Sequence, residues 1–333
     1  MSFSDIKGHA SIVHFFKREL ATGRIASSYL FIGQEGVGKM LFVRTLAKAL
    51  NCLSLTDDAC DSCASCVKIA GGNHPDVFFI EPADDKESIG IEAIRELQER
   101  VSLRPYEGRR KIFVINESER MTLDAQSCLL KTLEEPPADS VLILVTAHPE
   151  EHLGTVISRC RPVKFNPLDL DLKIKLALQR GYTEEEALFL ARLANSGVRD
   201  ADSAESGADD RAGREDAIVF KNKILKEFNT GESLLNDKSF IVSGSRDEMR
   251  YALAVIECWF RDLLVLKAAG DAALAINRDR VDELAAVGAK VSFEDVEEAL
   301  KDVGEAQVRL DGNVGAKIVF GDLKMKVARH NIF

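Results

Sequence analysis

Gly33-Gln34-Glu35-Gly36-Val37-Gly38-Lys39 has the spacing G-x-x-x-x-G-K. That spacing lets backbone N–H groups converge on phosphate oxygens while a lysine supplies charge. The stretch follows the apolar run Tyr29-Leu30-Phe31-Ile32 and precedes Leu41, Phe42, Thr45, Leu46 and Leu50, which recur at helical spacing. Strand, glycine-rich loop and helix together separate a phosphate loop from a chance match, and the helix N-terminus adds a partial positive charge. One position breaks the pattern. The residue after the lysine should offer a Ser or Thr hydroxyl to magnesium, and here it is Met40, a poor ligand for a hard cation. Gly33, Gly36, Val37, Gly38, Lys39 and Met40 are therefore expected to form an ATP or ADP site with a weak hold on Mg2+ and impaired catalysis.

Cys60-Asp61-Ser62-Cys63-Ala64-Ser65-Cys66 holds two overlapping C-x-x-C spacings, with Cys52 just upstream. Four thiolates on one short loop suit a tetrahedral Zn2+ with no position left for water, a structural site. Clustered reduced thiols and a redox pair are the competing readings, and the second lacks a thioredoxin-type context. Cys128, Cys160 and Cys258 lie in apolar periods and read as small core residues. A further polar pair, Asn116-Glu117, follows the run Lys111-Ile112-Phe113-Val114-Ile115. In phosphate-loop ATPases this strand end carries an Asp for magnesium and often a Glu that polarises water. Asn116 brings no charge, so Glu117 reads as a vestige of that pair; a polar turn capping a strand is the bland alternative.

The elements that position these residues alternate. Ala10 to Thr22 is expected to be an amphipathic helix, with Ile12, Val13, Phe16 and Leu20 on one side. Val77-Phe78-Phe79-Ile80, Lys111 to Ile115 and Val141-Leu142-Ile143-Leu144-Val145 read as buried strands after the first one. Helices are expected around Ile91 to Val101, from Asp124 to Leu133 before Pro136-Pro137, and briefly around Glu150 to Leu153. Near-continuous apolar runs alternating with helices indicate a parallel sheet covered on both faces. After Pro167 no convincing strand appears. Leu170 to Leu178 and Thr183 to Asn195 read as helices, the second with a Thr183/Glu186 capping box. Ser203 to Arg214 reads as a linker, and Tyr251 to Ala269 and Phe293 to Leu310 as the longest helices.

The 333 residues are too many for one core. A 46% hydrophobic and 29% charged composition is that of an ordinary globular protein. Seven cysteines, four of them clustered, suit a reducing cytoplasmic setting with a metal site better than a disulfide framework. Met1-Ser2-Phe3-Ser4-Asp5-Ile6-Lys7 has no basic region leading into an apolar one, so no leader is expected, and no apolar run is long enough to cross a bilayer. A net charge of −10 argues against broad nucleic-acid binding by this chain alone.

Three further stretches carry a resemblance: Leu103-Arg104-Pro105-Tyr106-Glu107-Gly108, Leu129-Leu130-Lys131-Thr132-Leu133-Glu134-Glu135-Pro136-Pro137, and Ser158-Arg159-Cys160. With the four-cysteine insertion, they make the chain resemble the clamp-loader subunits of bacterial DNA polymerase III, the delta-prime type above all and the gamma/tau type next. The likeness is strongest from Ile6 to Pro167. It implies an AAA+ phosphate-loop domain over residues 1–167 with a zinc-binding insertion at 51–70, a helical lid over 168–205, and an all-α collar over 206–333. It implies partners as well: gamma/tau and delta subunits in a ring, a sliding clamp, and primed DNA reached through that assembly, with no membrane. Within it Arg159 takes the place of an arginine finger acting in trans on a neighbour's ATP. Thr146 takes that of a sensor for the γ-phosphate and Arg199 that of the lid arginine.

Met40 and Asn116 depart from a working motor, and the chain is expected to stop after its third domain without a tau-like extension. Both favour a delta-prime-type partner that is structural and activating, with weak or no ATPase of its own. The alternative is an active clamp-loader motor. A zinc-dependent, sequence-specific DNA binder is disfavoured by the acidic balance and the lack of a basic recognition helix near Cys52 to Cys66.

Overall fold

A computed structural model of the chain describes residues 1–82, 88–179, 181–193, 221–226, 246–312 and 314–329. The chain divides into two compact units, Met1–Leu168 and Asp169–Phe333.

The first unit is built on five parallel strands: β1 (Ser28–Ile32), β2 (Val77–Ile80), β3 (Lys111–Ile115), β4 (Ser140–Thr146) and β5 (Arg161–Lys164). Their order is β2-β3-β4-β1-β5. Among the described residues six α-helices accompany them: α1 (Ala10–Thr22), α2 (Lys39–Asn51), α3 (Ala64–Ala70), α4 (Ile91–Val101), α5 (Leu123–Glu134) and α6 (Gly154–Ile157). Successive strand residues point to opposite faces, and both faces are filled. Tyr29, Phe31, Ile112, Val114, Val141, Ile143 and Val145 pack with Phe16 and Phe42 on one side. Leu30, Phe113, Ile115, Leu142 and Leu144 pack with Ile94, Leu97 and Leu129 on the other. Each buried side chain of this size contributes about 1.5–3 kcal/mol. That double burial is why the strands read as unbroken apolar runs rather than alternating ones.

β5 escapes a reading by hydrophobicity. Only Val163 of its four residues is buried, and it contains Pro162. Proline is tolerated there because β5 is an edge strand that pairs with β1 alone. The short helix expected around Glu150 to Leu153 is a 3-10 turn at Pro149–Glu151 followed by α6.

The Leu103–Gly108 stretch is tied down by Asp76, a residue with no sequence signal of its own. Its fully buried carboxylate accepts the backbone N–H groups of Tyr106 (2.7 Å), Glu107 (2.9 Å) and Gly108 (2.7 Å). Burial alone would push this carboxyl up, but the three donors hold it below its ordinary value. The folded value thus lies below the unfolded one. The stabilisation is therefore full above the unfolded carboxylate value, about 4, and is lost as pH falls through the folded value. Asp76→Asn is expected to cost about 1–3 kcal/mol at neutral pH. The gap from the parent chain should narrow near pH 3, read by urea denaturation at both pH values.

The second unit contains α7 (Leu170–Gln179), α8 (Glu184–Leu193), α9 (Arg246–Ala269), α10 (Val281–Gly288), α11 (Phe293–Asp311) and α12 (Ala316–Arg329). Residues 221–226 are also helical, and no strand occurs among its described residues. The capping box starting α8 is present: Glu186 N–H donates to Thr183 Oγ1 (3.3 Å) and Thr183 N–H to Glu186 Oε2 (2.9 Å). One core joins Trp259 and Phe260 of α9, Val296 and Val303 of α11, Phe320 and Leu323 of α12, and Phe189 and Leu193 of α8. The expected linker from Ser203 to Arg214 lies outside the described residues. No helix among those described is long and apolar enough to cross a membrane.

Candidate functional site

The glycine-rich loop Gly33–Lys39 leaves β1 at its C-terminal end, beside the ends of β4 and β5, where Ile32 is level with Thr146 and with Lys164. Gly33 N–H donates to the Thr146 carbonyl (3.2 Å). A Cβ on Gly33 would lie 2.6 Å from the Phe165 carbonyl oxygen, so only glycine fits between these strands. Gly36 and Gly38 take φ values of +73° and +91°, conformations that a side chain disfavours. The turn through Gly38 starts α2 with Lys39 as its first residue. Lys39 is buried, and its Nζ donates to the carbonyls of Gly33 (2.5 Å) and Gln34 (2.8 Å). The loop is thus curled around its own ammonium, with α2's N-terminus behind it.

His9 is a supporting residue that sequence reasoning missed. Buried just ahead of α1, it packs edge-on against Phe165 (5.0 Å between ring centres), and its Nε2 lies 2.7 Å from the Val37 carbonyl oxygen. Since a carbonyl can only accept, Nε2 carries the proton. The signal, one histidine near the start of a helix, is too common to single out.

Around the loop, Thr146 is buried, and its Oγ1 accepts the His148 N–H (3.0 Å). The Met40 side chain is 5% exposed and belongs to the core with Val37, Phe42 and Val43. It faces hydrocarbon and offers no oxygen in the first turn of α2. Asn116 follows β3, two strands from β1, and its Nδ2 donates to Glu81 Oε1 (3.2 Å). Glu117 has a φ of +49° and pairs with Arg120 (2.9 Å). β3 ends level with Leu144 of β4, so Asn116, Thr146 and the loop share one edge of the sheet. Strand spacing separates Asn116 from the β1 end by about 10 Å. Arg199 lies outside the described residues.

Arg159 is on the other edge. It follows α6 and precedes β5, whose first residue, Arg161, is level with Tyr29 near the start of β1. The length of β1, about 3.3 Å per residue, lies between this rim and the glycine-rich loop. Arg159 Nη2 is 2.7 Å from Glu134 Oε1, and its Nη1 donates to the Thr155 carbonyl (3.0 Å). The neighbouring Cys160 is buried, which pushes its thiol up to about 12 and leaves it an anchor rather than a nucleophile.

The four cysteines converge. The Sγ atoms of Cys52, Cys60, Cys63 and Cys66 all lie within 4.8 Å of one another, and none is in a disulfide. A tetrahedral ion with metal–sulfur bonds of about 2.3 Å would bring them to about 3.8 Å apart, a small contraction. Backbone N–H groups already point at the sulfurs: Leu55 to Cys52 (3.3 Å), Cys63 to Cys60 (3.3 Å) and Cys66 to Cys63 (3.5 Å). Hydrogen bonds from Ser62 and from the Cys63 N–H lower Cys60 to about 5, while burial raises Cys66 to about 12. One bound cation is what would hold all four as thiolates. The loop is tied to the sheet domain through Asp58, which accepts Phe3 N–H (2.9 Å) and pairs with Lys17 (2.9 Å), and through Asp61, which pairs with Lys48 (2.7 Å).

Comparison with known proteins places this geometry. Residues 8–169 match the family model described as DNA polymerase III, delta subunit. The chain is 29% identical over 296 residues to DNA polymerase III subunit delta' of Bacillus subtilis, an alignment covering 88% of each chain. It is 30% identical over 303 residues to subunit tau of the same organism, covering 84% of this chain and 53% of tau. The chain therefore spans about half the length of tau. The crystal structure of a DNA polymerase III gamma subunit-related protein from Thermotoga maritima superposes with a TM-score of 0.50 at 16% identity, covering 96% of this chain and 99% of that one. At that identity the likeness speaks for the fold alone, a parallel-sheet domain followed by helices. Taken with the glycine-rich loop at the ends of the strands and the four gathered cysteines, these matches make the chain similar to the delta-prime and gamma/tau subunits of bacterial DNA polymerase III.

Proposed function

We propose that this chain is a delta-prime-type subunit of a clamp loader. In this reading it joins gamma/tau and delta subunits in a ring that places a sliding clamp on primed DNA, and it supplies Arg159 to the ATP bound by an adjacent motor subunit. The observation that carries the reading is the placement of Arg159 on the sheet edge opposite the chain's own phosphate loop. From there it serves a neighbour's nucleotide rather than its own. Residues 168–205 serve as the lid, with Arg199 as its arginine, and 206–333 as the collar. Thr146 serves as the sensor for a γ-phosphate. One Zn2+ on Cys52, Cys60, Cys63 and Cys66 holds the insertion together, a structural role.

The phosphate loop of this chain binds ATP or ADP through backbone amides and Lys39 but turns ATP over slowly. Hydrolysis requires magnesium fixed against the β- and γ-oxygens. Met40, buried among Val37, Phe42 and Val43, offers no oxygen, and Asn116 no charge. Met40→Thr combined with Asn116→Asp is expected to strengthen magnesium-dependent nucleotide binding by about tenfold, the scale of one recovered charged hydrogen bond. Titration of a fluorescent ATP analogue with and without Mg2+ reads this. No change in the magnesium dependence would remove these two positions from the explanation.

The intact loop and the 30% identity to tau also support a second reading, an active motor. ATP turnover by the isolated chain, free of contaminating ATPase, separates the two. A rate equal to that of a motor subunit favours the second.

A further inference from the structure

We propose that Glu134 is a positioning residue for Arg159, so that the finger is assembled from two elements of this chain. The inference rests on the trans role proposed above. Arg159 is held at both terminal nitrogens, Nη2 on Glu134 Oε1 (2.7 Å) and Nη1 on the Thr155 carbonyl (3.0 Å). Each side of the pair is fixed by burial next door. Glu134 is the last residue of α5, one position after buried Leu133 and just before Glu135-Pro136-Pro137, where the helix must stop. Arg159 adjoins buried Cys160, and Val156 of α6 is fully buried. Leu133, Val156 and Cys160 belong to one core cluster, so the backbones that carry the carboxylate and the guanidinium are locked together.

The pair is solvent-facing, with Arg159 34% and Glu134 50% exposed, and an ion pair in that setting adds little to folding. Its consequence lies in orientation. A guanidinium has five N–H donors. With one N–H of each terminal nitrogen engaged, the remaining donors can meet an incoming phosphate. A long side chain already held at two points gives up less conformational freedom when it does so. A carboxylate that orients a catalytic group without reacting is the same device as the aspartate of a hydrolase triad.

The test uses the reconstituted assembly carrying Glu134→Ala, Glu134→Gln, Arg159→Ala, or Glu134→Ala with Arg159→Ala. Steady-state ATP hydrolysis is measured across ATP concentrations, with assembly checked by size-exclusion chromatography. Glu134→Ala is expected to lower kcat about three- to tenfold, the scale of freeing one long side chain, with KM for ATP unchanged because the neighbour holds the nucleotide. Glu134→Gln should recover most of the rate, since its amide oxygen still accepts from Nη2. The double variant should be no slower than Arg159→Ala alone, the signature of one residue acting through another. A faster Glu134→Ala assembly, or the same fractional loss from Glu134→Ala in the Arg159→Ala background, overturns the proposal. Arg159→Ala at the parent rate overturns the trans role itself, an outcome read from that single variant.

Discussion

Arg159→Ala is expected to leave this chain folded and able to join its assembly while lowering ATP hydrolysis at the neighbouring site by orders of magnitude. The expectation of a normal fold follows from the surroundings: the side chain is a third exposed and pairs with an exposed carboxylate, so its removal opens no cavity and strands no buried charge. The expectation of a large kinetic loss follows from the task. Arginine keeps its charge at any working pH and offers a fork to two oxygens at once. Trans-acting arginines in other phosphoryl-transfer systems are worth roughly 10³–10⁵ in rate. Other sites in the ring continue to fire, so the whole assembly should slow by less, about tenfold or more once turnover depends on this site. Arg159→Lys should recover little, because an ammonium is a point charge without the fork. Clamp loading should fall with hydrolysis, and circular dichroism of the variant should match that of the parent chain.

Loss of one of the four gathered thiols is the second change expected to have a large effect, and it is local. Cys63→Ser should take bound zinc from about one per chain to nearly none, because a structural site needs its full ligand set. Cys63 also caps α3, so that helix should fray along with the loop. The rest of the domain should persist, since Cys52, Ala59 and Cys66 form a small cluster of their own, separate from the two cores flanking the sheet. Structural zinc in short peptides binds with about 10–16 kcal/mol at neutral pH, and affinity falls in acid as thiolates take up protons. The parent chain should therefore lose zinc on acidification or with excess chelator. Elemental analysis and hydrogen exchange across residues 52–66 read both effects. A parent chain purified without chelator and lacking zinc contradicts the assignment.

Most of the first domain was legible because its chemistry is local. The glycine-rich turn declares itself through glycines that only a tight turn requires, and the strands through apolar runs that only a doubly covered sheet tolerates. The gathering of the four cysteines was legible for the same reason, four thiols within a short stretch. What stayed hidden depends on distant partners. β5 has one buried residue, and its place is set by pairing with β1 rather than by its own hydrophobicity. His9 and Asp76 act on loops 28 to 32 residues away. Glu134 stood in plain view within the Leu129–Pro137 motif, yet nothing in that motif says that its carboxylate meets Arg159. The helical second unit was legible in its caps and periods, whereas its division into lid and collar came from resemblance alone.

The central claim is that this chain acts on a neighbour's ATP through Arg159 rather than on its own. It is tested most directly by titrating the chain, parent or Arg159→Ala, into a fixed amount of motor subunit and following steady-state ATP hydrolysis, with complex formation measured in parallel. The account predicts a saturating rise in turnover with the parent chain and no rise with the variant, although both bind. It is contradicted if the variant stimulates as well as the parent chain, or if the parent chain alone hydrolyses ATP as fast as the mixture.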